Sequence, residues 1–128
     1  MNKDFDDWNE LKKKYESHNN QIFEENEIWW ASIGVNIGFE SCGKNSNFNR
    51  PVLILKKFNK FIFLGIPLSS KIKQGKYYYN FEFKGKNSNA LLSQVRLFDS
   101  KRITHLIGKL SDKQVKLIKE KLCEIIMK

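Results

Sequence analysis

The stretch VLILKKFNKFIFLGIP, Val52 to Pro67, decides what kind of fold this chain can adopt. It holds two short apolar runs, Val52 to Phe58 and Phe61 to Pro67, separated by Asn59 and Lys60. Short runs rich in β-branched and aromatic residues and bounded by polar breaks read as strands.

Three more runs of the same kind flank it, Ile28 to Ile33, Tyr77 to Phe83 and Ala90 to Leu97, each bounded by Gly, Asn, Lys or Ser. Several short strands at this spacing imply a barrel or a sandwich. In YYYNFEF the alternation sends Tyr77, Tyr79, Phe81 and Phe83 to one face, the period of a half-buried strand. Trp29 and Trp30 are consecutive, so one ring points inward and the other outward.

Both ends read as helix. Ser111 precedes Gln114 by three positions, a capping-box spacing, and Val115, Ile118, Leu122, Ile125 and Ile126 form one apolar stripe. At the start, Asp4 to Ser17 sets Phe5, Trp8, Leu11 and Tyr15 at helical spacings, with acids early and lysines late, as the helix dipole prefers. His18-Asn19-Asn20 breaks that pattern, so residues 1–20 are expected to be a helical extension and 21–128 the domain proper. The polar, glycine-bearing segment Asn36 to Asn49 is long for a loop in so small a domain, and it is read as a functional flap.

A length of 128 residues suits one domain, and 41% hydrophobic residues supply a core. The net charge of +9 attracts polyanions, of which nucleic acid is the commonest. Of 23 basic residues only Arg50, Arg96 and Arg102 are arginine, so a planar, bidentate phosphate clamp must use one of these three. Cys42 and Cys123 lie too far apart in sequence for a CxxC element, which argues for neither a zinc site nor a disulfide framework and for a reducing compartment. The acidic, polar start and the lack of a long apolar run imply a cytoplasmic protein with no membrane partner.

Five pieces in order, EIWWASIGVNIGFE from Glu27, RPVLIL from Arg50, IPLSSKI from Ile66, LSQVRLFDSKRI from Leu92 and IGKLSDKQVKLIKEKL from Ile107, resemble the PemK/MazF toxin family over about residues 21 to 128. The resemblance implies a mainly β, α+β fold: a small SH3-like barrel with a C-terminal helix, forming a homodimer. It also implies the toxin of a type II toxin–antitoxin system, an endoribonuclease that cuts single-stranded RNA without metal or cofactor. The products would be a 2′,3′-cyclic phosphate and a 5′ hydroxyl, and a cognate antitoxin would bind the toxin through a disordered acidic segment that folds onto it.

By the same resemblance, Arg50 matches the catalytic arginine before proline and Ser69 the hydroxyl residue after the next proline, with Ser70 its near neighbour. The guanidinium, a permanent cation, suits charge stabilisation better than proton acceptance, which leaves the general base unassigned. Gln94, Arg96 and Arg102 fall in the QVRLFDSKR piece as RNA contacts, with an Arg96–Asp99 ion pair as the alternative use of Arg96. Glu40 on the flap is a candidate polar contact or base, and Lys44, Lys71, Lys73 and Lys76 would add salt-dependent phosphate contacts. Some family members carry an acid before the glutamine, an arginine two residues earlier, or a histidine before the flap glutamate. Here those places hold Ser93, Leu91 and Phe39. Ser93, together with a serine at 69 where many members have threonine, supports a second expectation, a non-catalytic nucleic-acid-binding or gyrase-inhibiting relative on the same fold.

Overall fold

In the computed structural model, which describes residues 21–33 and 49–128, the Val52 to Pro67 stretch forms the centre of the sheet. Strand β2 (Asn49–Lys57) pairs antiparallel with β3 (Ile62–Ser69). Asn59 makes the turn between them, its side-chain oxygen accepting the backbone N–H groups of Phe61 and Ile62 at 2.8 and 3.0 Å. Short polar side chains make turns in this way by standing in for a backbone acceptor.

Around this pair stand β1 (Glu27–Ser32), β4 (Tyr78–Phe83), β5 (Lys86–Leu91), β6 (Arg96–Asp99) and β7 (Ile103–Lys109), followed by α1 (Asp112–Met127). The strand order is β4-β5-β3-β2-β1-β7. Strand β3 changes partner along its length: Ile62 to Gly65 pair with β6, whereas Leu68 and Ser69 pair with β5. The β4–β5 hairpin turns on Lys84 and Gly85, both with positive φ, 54° and 76°. That combination gives the tight turn whose twist matches the flanking strands, and glycine takes the second position without strain.

Both faces of the sheet are covered, which explains why Val52 to Leu55 is apolar without alternation. Leu53 and Leu55 join Ile28, Ile66, Leu68, Phe81, Ala90 and Leu92 in a core roofed by Val115, Ile118 and Leu122 of α1. Val52 and Ile54 point the other way, into a second core with Phe23, Trp29, Ala31, Phe63, Phe98 and Ile103. Each fully buried aliphatic side chain contributes roughly 1.5–3 kcal/mol. The helix starts at Ser111, whose hydroxyl accepts the Gln114 N–H at 3.2 Å.

Several expectations are corrected. Among the described residues the sheet does not close into a barrel: β4 and β7 end it and do not pair with each other. Side chains bridge the gap in place of a backbone ladder, because Phe83 lies against Gly108, where an added Cβ would meet the ring at 2.7 Å, and the Lys84 ammonium donates to the Ile107 carbonyl at 2.6 Å. The run Ala90 to Leu97 is two strands separated by a 3-10 turn, Leu92–Gln94, since β5 and β6 serve different parts of β3. Tyr77 precedes β4 and is exposed, while Tyr79, Phe81 and Phe83 do reach the core. Ile126, at the end of the expected helical stripe, is exposed. Strand β7 was not anticipated at all. The expected helix over Asp4 to Ser17, and most of the flap, lie outside the described residues. Among the described residues no helix is long and apolar enough to cross a membrane.

Gly65 shows how tightly the second core is filled. A Cβ there would lie 2.7 Å from Val52 Cγ1, 2.9 Å from Phe63 and 3.0 Å from Phe98, all buried side chains. Gly65→Ala is expected to destabilise the fold by about 1–3 kcal/mol through overpacking. Urea unfolding measures this, and a gain in stability would contradict the packing described.

Candidate functional site

Arg50 stands near the start of β2, half-buried, and is paired across β1 with Ala31. Among the described residues no hydrogen bond or ion pair engages its guanidinium. The ladder between β2 and β3 ends at the Val52–Pro67 pair. Pro51 and Pro67 supply no backbone N–H, so the two strands cannot extend the ladder symmetrically past this point. On the opposite edge of β3, Leu68 and Ser69 pair with β5. Arg50 lies two positions before Val52 and Ser69 two positions after Pro67, so both residues stand at the end of the ladder that the Val52–Pro67 pair closes. Both positions share the strand parity of Val52 and Gly65, the face of the second core.

Ser69 is half-buried at the end of β3, and its hydroxyl oxygen accepts the Lys71 backbone N–H at 3.1 Å. A hydroxyl that accepts one such bond keeps its own proton free to donate. The turn bond and a contact to an anion are therefore compatible. Ser70, Lys71 and Lys73 follow on the exposed surface beside it.

The other two arginines border the same core. The Arg102 guanidinium donates to the Ser32 carbonyl at 3.3 Å, and Ser32 pairs with Asn49, the neighbour of Arg50. A hollow lined by Ser32, Asp99, Lys101 and Arg102 opens there. Arg96 pairs across β6 with Gly65, farther back along β3 than Ser69, and lies over the Phe98 ring at 4.9 Å. Glycine opposite leaves room for this stacking, which attracts a cation to the π face. Asp99 does not serve Arg96. Its carboxylate accepts the Lys101 N–H at 2.9 Å and caps the 3-10 turn Ser100–Arg102. That local bond replaces the ion pair considered above. Gln94 is exposed at the end of the turn Leu92–Gln94. Lys76 lies over the Tyr77 ring at 5.1 Å and lines a separate hollow beside α1. Glu40 and Lys44 lie outside the described residues.

Arg50 and Ser69 thus stand at the same end of the β2–β3 ladder, Arg102 reaches Ser32 on the strand beside Asn49, Lys71 and Lys73 follow Ser69 in sequence, and Arg96 lies farther back along β3. Sequence reading passed over Asn89, a buried asparagine paired with Ser69. The only available signal was an amide in a segment that otherwise leads into apolar residues, NSNALL, and its burial depends on pairing that no local pattern encodes.

No curated protein matches the chain. Among solved structures it is similar to MazF from Deinococcus radiodurans, with 16% identity, a TM-score of 0.69, and coverage of 84% of this chain and 99% of that one. It is also similar to the MazE–MazF structure from the same organism, at 15% identity and TM-score 0.63, covering 83% and 96% of the two chains. An endoribonuclease in complex with its cognate antitoxin from a mycobacterial species matches at 7% identity and TM-score 0.59, covering 80% and 92%. At such identities these likenesses establish the fold: an antiparallel, mainly β sheet with a C-terminal helix. The family model for the PemK-like, MazF-like toxins of type II toxin–antitoxin systems matches residues 24–126, and the chain belongs to that family.

Proposed function

We infer that the protein is an endoribonuclease acting on single-stranded RNA, with Arg50 and Ser69 as its reaction centre. The observation supporting this reading is a half-buried arginine with no partner among the described residues, at the same end of the β2–β3 ladder as a serine hydroxyl that accepts one backbone N–H. Family membership supports the same reading.

RNA supplies its own nucleophile. The 2′ oxygen attacks the adjacent phosphorus, the bond to the 5′ oxygen breaks, the 2′ proton is lost and the 5′ oxygen is protonated. What the protein must add is alignment and stabilisation of the negative charge that builds on the phosphorane. Arg50 does the second through paired N–H donors, and Ser69 donates a hydrogen bond to a phosphate oxygen. Arg102, Gln94, Lys71 and Lys73 hold the flanking nucleotides, together with Ser70, and Arg96 contributes where its stacking on Phe98 allows. Glu40 and Lys44 would act from the flap. The charge of +9 draws the strand in.

A cognate antitoxin is proposed as the regulator of this activity. Two structural neighbours contain antitoxins, and a basic face suits an acidic segment. A homodimer in the cytoplasm completes the reading.

Purified protein incubated with single-stranded RNA in EDTA should cut it at substoichiometric amounts and leave cyclic phosphate ends. An oligonucleotide carrying 2′-deoxyribose at the scissile position should remain whole. Cutting of that deoxy substrate would overturn the mechanism, and intact RNA in the presence of wild-type protein would overturn the activity.

A further inference from the structure

We propose that Asn89 is a positioning residue that fixes the Ser69 hydroxyl from the neighbouring strand. The inference rests on the nuclease reading for its catalytic consequence, but its structural content stands without it.

Asn89 sits in β5 directly opposite Ser69 and is fully buried. Its Nδ2 donates to the Lys71 carbonyl at 3.2 Å, while the Lys71 N–H donates to the Ser69 hydroxyl oxygen at 3.1 Å. One residue of the exposed turn is therefore held at both of its backbone polar groups, by Asn89 on one side and Ser69 on the other. The consequence for Ser69 is geometric. With one lone pair directed at a fixed N–H, its oxygen keeps a defined rotamer, and its proton is left for a ligand. If the Lys71 carbonyl were released, the turn would move, taking the N–H that orients the hydroxyl with it.

The other half of the amide indicates that stability alone does not explain the residue. Asn89 Oδ1 is buried with no hydrogen-bond partner among the described residues. An unpaired buried acceptor is unfavourable, and its neighbours Ala90, Leu91 and Leu92 are buried and apolar. An aliphatic side chain would fit this strand at lower cost to the fold. Only an amide supplies the donor that reaches Lys71, and sequences depart from local packing rules mostly where a site requires it.

Cleavage kinetics and Lys71 amide exchange, the latter by NMR, are measured on wild type, Asn89→Ala, Ser69→Ala and the double variant. Asn89→Ala should lower kcat about tenfold with KM changed less than about twofold, because a small misplacement acts on the chemical step. Added to Ser69→Ala it should lower kcat no further, since a residue acting through another has nothing left to position. The Lys71 amide should exchange about tenfold faster at an unchanged melting temperature. An equal loss in both backgrounds, or an unaltered Lys71 exchange rate, overturns the proposal. Should the wild type cut no RNA, the nuclease reading fails, and the exchange rate alone decides whether Asn89 holds the turn. If Asn89→Ala does not fold, Asn89→Leu, which refills the volume without a donor, takes its place.

Discussion

Arg50→Ala is expected to lower the rate of RNA cleavage by about 10²–10³-fold, the loss typical when one donor to a developing oxyanion is removed. The reasoning begins with what the side chain does in the free protein. It makes no hydrogen bond or ion pair among the described residues, so its removal should leave the melting temperature nearly unchanged and confine the effect to the substrate. Its place at the end of the β2–β3 ladder, half-buried beside two prolines, partly desolvates the guanidinium and strengthens its pull on an anion. Arg50→Lys separates charge from shape: a lysine keeps the charge but loses the planar fork, so it should recover only part of the rate. Single-turnover cleavage of a defined oligonucleotide measures all three proteins. Equal rates for wild type and Arg50→Ala would remove Arg50 from the mechanism.

The largest expected loss of stability comes from Phe63→Ala, about 3–5 kcal/mol. Phe63 has no exposed surface and is the middle ring of three, with Phe23 at 5.1 Å and tilted by 56° and Phe98 at 5.4 Å and nearly parallel. It therefore joins the chain before β1, the central strand β3 and β6. A methyl group in its place leaves a cavity bounded by two rigid rings that cannot collapse into it, and aromatic pairing is lost as well. On a domain of this size the melting temperature should fall by on the order of 10–20 °C. A fall of only a few degrees would mean that the second core is not the unit described above.

Much of the architecture was legible from local pattern. The runs around Asn59 became β2 and β3, and YYYNFEF, apart from Tyr77, became a strand packed on the core. Trp29 is buried while Trp30 is exposed, as adjacent strand residues should be. The Ser111 cap and the stripe through Leu122 became α1. Strand β7 escaped notice because ITHLIGK is polar and glycine-bearing, and what makes it a strand is pairing with β1 across a register interrupted twice. The open edge between β4 and β7 was equally hidden, since closure depends on whether two strands distant in sequence meet as backbones or through Phe83 and Lys84.

The candidate site divides in the same way. Arg50 and Ser69 were proposed from the likeness of RPVLIL and IPLSSKI to the family's pieces, and Arg102 from its place in QVRLFDSKR. That Arg96 would spend its guanidinium on Phe98, and that Asp99 would cap a turn, were not legible.

The sequence alone determined that this chain is strand-rich with a capped terminal helix, and that few planar cations are available for an anion. These follow from alternation, helical spacing and residue type, which act over a handful of neighbouring residues. Only the tertiary structure decided that Asn89 pairs with Ser69, that this buried amide reaches the turn beyond it, and that the sheet stays open. Strand register is set by which side chains are buried together across distant segments, and a shift of one residue would turn each of these groups to the opposite face.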